Sequence, residues 1–285
     1  MRRIRSLAVV GLSVLAALPA GCNRQDPADE AFASGRLDIG NFREHTDFTR
    51  FFRPEKDAYA QYASTDEQGL RIAVPQGTTT EPVGIVLKRS LRGDFDISVN
   101  YQLLKAEAGD SWGSGFQVLF KLDTPGHDTV FVARQARGDG QSIVFQHMTD
   151  GPDGRRVSKK SKVVDVDAVL DAARPPAKIG FARQGSRLTA TYRLGSESQQ
   201  ALGVFEIGAD PVLLVRLAAN PERAKYPVDV RVLDFTLRAD DMSEAASGGH
   251  RGLLTTAVVV AAVLLAGLAL WAVRRRLAAR VKTAS

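Results

Sequence analysis

Along the middle of this chain, apolar and polar residues alternate one for one. Phe95, Ile97, Val99, Tyr101 and Leu103 interleave with Asp96, Ser98, Asn100 and Gln102. Phe116, Val118, Phe120 and Leu122 repeat the pattern. So do Ile179 and Phe181 and, after Gln184-Gly185-Ser186, Leu188, Ala190 and Tyr192. Val228, Val230 and Val232 close the series, with Phe235 and Leu237 continuing beyond Asp234. A period of two places one side of an extended segment in a core and the other in water. Turn-forming residues punctuate the runs at Thr124-Pro125-Gly126, Gly138-Asp139-Gly140 and Gly151-Pro152-Asp153-Gly154. Many short strands with frequent turns and no amphipathic helix predict an all-β fold, an antiparallel two-sheet sandwich spanning residues 36–239. No internal repeat is visible. The flanks 22–35 and 240–251 are small, polar and acidic and read as linkers.

Both ends change character. Residues 1–21 carry a basic head, an apolar run from Leu7 to Leu18 and then small residues, the arrangement of a secretory signal peptide. The segment stops at Cys22, the only cysteine, so no disulfide can form within one mature chain. Leu18-Pro19-Ala20-Gly21-Cys22 resembles a bacterial lipobox, which makes Cys22 a candidate lipidation site. Pro19 departs from that pattern, and an ordinary cleaved signal is the alternative. Near the other end, residues 252–273 hold no charge and match the roughly 20 apolar residues that cross a bilayer as a helix. Trp271 suits the interface, and Arg274-Arg275-Arg276 begin a basic tail, 274–285, whose charge predicts a cytoplasmic C-terminus and an extracytoplasmic sandwich. Ser247-Gly248-Gly249 ahead of this span also resembles a bacterial GlyGly C-terminal sorting signal.

This topology disposes of the net charge. The formal value is +6, but eight cations sit at the extreme ends: Arg2, Arg3, Arg5, Arg274, Arg275, Arg276, Arg280 and Lys282. Taking these eight from 38 Lys and Arg leaves 30, against 32 Asp and Glu. The middle is slightly acidic, and no nucleic-acid partner follows from it.

Several stretches carry a family likeness. KIGFARQGSRLTATYRLG and VDVRVLDFTLRADDM resemble the late strands of concanavalin A-like jelly rolls. GLRIAVP at 69–75, LRGDFDISVNYQLLKAE, FKLDTP at 120–125 and the VRVLDFTLRADDM ending occur in the same order in a bacterial family, domain of unknown function 1583. The resemblance covers roughly residues 50–240. It implies a concanavalin A-like (LamG/jelly-roll) sandwich and brings no catalytic residues with it. It also bears on Arg92-Gly93-Asp94, which spells an adhesion signal: in the family, Gly-Asp-Phe serves as the turn feeding a strand, with Phe95 opening its buried face. A second copy, Arg137-Gly138-Asp139, also falls at a turn.

Little else points to chemistry. Gly109-Asp110-Ser111-Trp112-Gly113 matches G-x-S-x-G, but a nucleophile elbow needs a helix where Gly115 and Phe116 open a strand. No strand carries the paired carboxylates of a jelly-roll glycosidase. His45, His127, His147 and His250 have no metal-ligand spacing, and no cofactor is called for. Asp123 and Asp128 flank a turn that reads as solvated rather than as a calcium site. Arg155, Arg156, Lys159, Lys160 and Lys162 read as a solvated hairpin tip. Asn100, Gln102, Gln117 and Lys121 occupy the outward phase of two runs expected to be neighbouring strands, with Trp112 just ahead of the second. Amides for hydroxyls and a ring for stacking make these five the candidate ligand-binding residues, and a glycan the candidate ligand. The expected function is a non-catalytic, membrane-anchored sandwich. A protein-docking ectodomain and a concanavalin-like sugar hydrolase are the alternatives.

Overall fold

The computed structural model of the chain describes residues 27–39, 42, 48–56, 59–108, 113–138, 140–166 and 175–244. The elements are, in order, α1 (Pro27–Ala33), β1 (Arg36–Ile39), α2 (Phe48–Phe51), β2 (Phe52–Pro54), α3 (Tyr59–Tyr62), β3 (Ala63–Asp66), β4 (Gly69–Val74), β5 (Val83–Leu87) and β6 (Arg89–Ala106). They continue with β7 (Gly115–Leu122), β8 (Thr129–Arg137), β9 (Gly140–Asp150), β10 (Arg156–Val166), β11 (Ala177–Gln184), β12 (Arg187–Arg193), β13 (Gln200–Glu206), β14 (Val212–Asn220) and β15 (Val228–Glu244). Every strand pair is antiparallel.

Hydrogen bonding sorts the strands into two layers. One runs β10-β9-β8-β7-β14-β5-β2, and the other β13-β12-β11-β6-β15-β4-β3, with β1 on the later part of β15. A single pairing, Val212 opposite Leu91, links them. The alternating apolar residues meet between the layers. Phe120 of the first packs edge-on against Phe95 and Phe181 of the second, at 5.6 and 4.6 Å between ring centroids. Tyr101 meets Phe116 at 4.5 Å, Phe235 meets Phe52 at 5.1 Å, and Phe205 stacks on Phe145. Each fully buried ring of this kind holds the layers together by about 3–5 kcal/mol, the usual cost of cutting it back to alanine. One irregularity in the sequence pattern is explained here. A bulge between Val232 and Asp234 shifts the phase of β15, so that Val232 and Phe235 both enter the core.

The sandwich extends past both expected boundaries. Residues 27–33, read as linker, form a helix whose Ala28 and Phe32 are buried, and Arg89 lies over the Phe32 ring, 4.6 Å from its centroid. β15 continues to Glu244 with Met242 buried, so the first part of the other linker is strand. The three helices among the described residues escaped the sequence reading because seven- and four-residue segments are too short to show a helical period. Among the described residues, no helix is long and apolar enough to cross a membrane. The signal segment, Cys22, the span 252–273 and the basic tail lie outside the described residues.

Arg92-Gly93-Asp94 lies inside β6, which starts at Arg89 rather than after the tripeptide. Gly93 has φ +68°, and a bulge in β15 between Ala239 and Asp241 faces it. Asp94 is held at both ends: its amide donates to Asp240 Oδ2 at 2.8 Å, and its Oδ1 accepts from the Gly185 amide at 2.7 Å. The motif is a pinned kink in a strand. Gly138 of the second copy, φ +55°, sits in the tight connection that pairs Arg137 with Gly140. The basic stretch after Gly154 is exposed at a hairpin, as expected, but from Arg156 it continues as a regular strand, β10. Among the described residues β10 is an edge strand paired only with β9; Val164 and Val166 pack against the core and draw the segment into the layer.

Candidate functional site

The expected neighbouring strands are not neighbours. β6 and β7 lie in different layers, since the chain crosses between sheets after Ala106. Asn100 and Gln102 therefore face outward from one layer, and Gln117 and Lys121 from the other. Asn100 is also engaged: its Nδ2 donates to Asp234 Oδ1 and Oδ2 at 2.8 and 3.0 Å, and its Oδ1 accepts from Arg193 at 3.4 Å. Gln102 sits opposite Arg231 on β15 and has a partner of its own. Trp112 and Ser111 lie outside the described residues.

Gln117 marks the richer surface. A cleft of about 580 Å³ opens over the outer face of β7, β8 and β9, and its lining includes Gln117, Phe131, Gln135, Gln146 and Asn220. Strand register explains why these residues meet. Gln117 is flanked across the sheet by Ala133 and Ala218, Gln135 by Gly115 and Ser142, and Phe131 by Leu119 and Gln146. Successive outward residues on a strand are about 6.7 Å apart. Small residues beside the amides leave the floor low, while Phe131 stands up from it half-buried. Gly115 enforces part of this relief: a Cβ there would fall 2.1 Å from the Arg134 carbonyl oxygen. Lys121 shares the outer face but not the cleft lining.

Gln135 is 5% exposed, and its buried Nε2 has no hydrogen-bond partner among the described residues. A buried amide donor left unpaired costs about 1–3 kcal/mol, which an oxygen-bearing ligand or a water would recover. Around the rim, Glu81 binds Lys56 at 2.7 Å, and that hydrogen bond holds its carboxyl below the usual carboxylate range. Glu222, Arg223 and Lys225 reach in from the loop between β14 and β15. Along β7, β8, β9 and β14 the outward residues are amides, aliphatic and hydroxyl groups, Phe131, cations and one carboxylate, Asp150 at the end of β9, which pairs with Arg156 at 2.8 Å.

A second polar group lies at the end of the sandwich. Asp128, expected in a solvated turn, is 2% exposed. Its Oδ2 accepts from Lys159 Nζ at 2.6 Å and lies 2.7 Å from His147 Nε2. Burial pushes the Asp128 carboxyl up, but hydrogen bonds from Lys159, Thr149 and His147 outweigh it and hold the group well below the usual range. Asp128 is thus spent on an internal ion pair. No cluster of three or more metal-ligating residues exists among the described residues.

Comparison with protein families matches residues 40–255 to "Protein of unknown function (DUF1583) C domain". The chain belongs to the DUF1583 family. The match is longer at both ends than the stretch legible from its motifs. No curated protein matches the sequence. In three dimensions, the chain is similar to the legume lectin-like domain from Entamoeba histolytica, with a TM-score of 0.53 and 12% identity over 71% of this chain and 96% of that one. It is also similar to the lectin from Bauhinia forficata in complex with GalNAc, with a TM-score of 0.49 and 10% identity over 72% and 98%. A further similar structure is the β-glucanase of Bacillus licheniformis, with a TM-score of 0.46 and 11% identity over 71% and 98%. At such identities the likeness is one of fold: this DUF1583 domain is a concanavalin-like antiparallel sandwich.

Of the expected site residues that the structure describes, the cleft keeps Gln117 alone. Phe131, Gln135 and Gln146 were legible as outward positions only to a reader who already had the phase of β8 and β9. Val130–Ala133 and Ile143–Phe145 are apolar on both phases and hide it. Glu81, Asn220 and Arg223 lie outside any alternating run.

Proposed function

We propose that this DUF1583 protein is a membrane-anchored, extracytoplasmic and non-catalytic sandwich that binds glycan in the cleft over β7, β8 and β9. The observation that carries the reading is the juxtaposition of the unpaired, buried Gln135 Nε2 with the half-exposed ring of Phe131. Sugars are recognised by planar amides that meet hydroxyls in register and a ring that stacks on a pyranose face. Gln117 and Gln146 supply further amides on the same floor. The lectin-like domain of Entamoeba histolytica supports the reading at the level of fold, which by itself never establishes function. Non-catalysis rests on side-chain identity. Paired-carboxylate hydrolysis needs one acid kept protonated, whereas of the two carboxylates lining the cleft, Glu81 is bound by Lys56, which lowers its pKa, and Glu222 has a partner already. Membrane anchoring rests on the sequence of residues 252–273 and, for a second anchor, on Cys22. Trp112, just upstream of β7, remains a candidate second stacking ring.

A glycan array probed with the full chain in mild detergent tests the proposal. Glycans that bind should bind about 1–3 kcal/mol more weakly to Phe131→Ala, the range for losing a stacking ring, and Gln135→Leu should weaken them too. Trp112→Ala tests the second ring in the same assay. Binding unchanged in Phe131→Ala and Gln135→Leu would put the site elsewhere. Silence across the array would leave protein docking as the better account.

A further inference from the structure

We infer that the cleft selects sugars carrying an anionic substituent, a carboxylate or a sulfate ester, through Arg223; this rests on the glycan-binding reading above. The loop after Asn220 has an unusual backbone. Glu222, Arg223 and Ala224 have φ of 44°, 56° and 67°, three consecutive non-glycine residues in the left-handed region. There the Cβ of an L-residue crowds the following carbonyl, so the conformation persists only where its surroundings enforce it.

They do so here. The Glu222 amide donates to Asn220 Oδ1 at 3.1 Å, and the Tyr226 amide to the Pro221 carbonyl at 3.3 Å. From outside the loop, the Gly77 amide donates to the Ala224 carbonyl and Gln76 Nε2 to the Lys225 carbonyl, both at 2.8 Å. None of these bonds uses the Arg223 side chain. The loop is braced on the 76–77 turn, and its middle residue stands exposed at the cleft lip.

The charges around the lip favour an anion. Glu81 is taken up by Lys56, and Glu222 and Lys225 each have a partner already. Arg223 has no ion-pair or hydrogen-bond partner among the described residues. Its planar fork matches the two oxygens of a carboxylate or sulfate, where a lysine would offer only a point charge. A sugar ring resting on Phe131 and the glutamine floor turns its substituents toward this lip.

The experiment is an array of neutral, uronate-bearing and sulfated oligosaccharides, read with the full chain and with Arg223→Gln and Arg223→Lys. Glutamine retains the side-chain demand on the backbone, so it removes the charge without relaxing the loop. Anionic glycans should bind wild type best and weaken about tenfold or more in Arg223→Gln, the usual consequence of losing a charge-assisted pair. Arg223→Lys should recover part of that loss. Separate uronate and sulfate arms show which anion is taken. Hits confined to neutral sugars, or anionic hits indifferent to Arg223→Gln, would overturn the inference. If such hits still weaken in Phe131→Ala, the glycan cleft itself stands. No hit in any arm would overturn both.

Discussion

Arg183 tests how the fold is held at the kinked end of β6. It is 1% exposed, and among the described residues it is one of the largest fully buried side chains. Its Nε donates to the Gly93 carbonyl at 2.9 Å, Nη2 donates to the same oxygen, and Nη1 donates to the Asp210 carbonyl at 2.7 Å. The guanidinium also lies over the Phe95 ring, 4.8 Å from its centroid. Arg183→Met keeps the apolar stem filled and removes these bonds. Two carbonyls lose a charged donor at about 1.5–3 kcal/mol each, and the ring contact adds about 0.5–2. Against this stands the cost of burying the charge, several kcal/mol. Burial does lower the Arg183 pKa, with Asp94, Asp210 and Asp240 only partly opposing it. The balance should be a net loss of about 2–4 kcal/mol. At roughly 2–4 °C per kcal/mol for a domain of this size, Tm should fall by about 4–16 °C. Thermal unfolding followed by circular dichroism measures it, with Arg183→Lys expected to fall between variant and wild type. A Tm within about 2 °C of wild type would show that the bonds merely offset the buried charge, and that the Gly93 kink needs no clamp.

The remaining predictions concern acid and topology. Asp128 is held below its ordinary pKa, so the stability it adds is complete above the unfolded value, about 3.9, and is lost as pH falls through the lower folded value. Asp128→Asn should cost about 2 kcal/mol at pH 7, discounted from the full buried-pair value because Lys159 is half exposed, and the gap should close below about pH 4; urea titrations that stay parallel across that range would refute the assignment. Protease added to spheroplasts should degrade the sandwich and spare the tail after residue 273, whereas a sandwich protected until lysis would reverse the orientation. Lipid labelling abolished by Cys22→Ser would establish the second anchor, and an unlabelled wild type would dismiss it.

Much of the architecture needed no coordinates. The residues Phe95 to Leu103, Phe116 to Leu122 and Ile179 to Tyr192 declare strands, because a period of two has one physical solution when half of each segment must leave water. Gly185 and Gly138 declare the hairpins because their turns need positive φ. What local pattern does not carry is adjacency. Alternation says which side of its own strand a residue leaves, and nothing about which strand lies beside it. β6 and β7 follow one another in sequence yet lie in opposite layers, which separates Asn100 and Gln102 from Gln117. The cleft is assembled from β7, β8, β9, the end of β14 and two loops far apart along the chain. Its floor is low only because Ala133, Ala218 and Gly115 fall beside the glutamines in register. Register depends on long-range pairing across the whole sheet, so the sequence by itself determined the strands and their buried sides, while tertiary pairing alone decided which outward side chains share a surface.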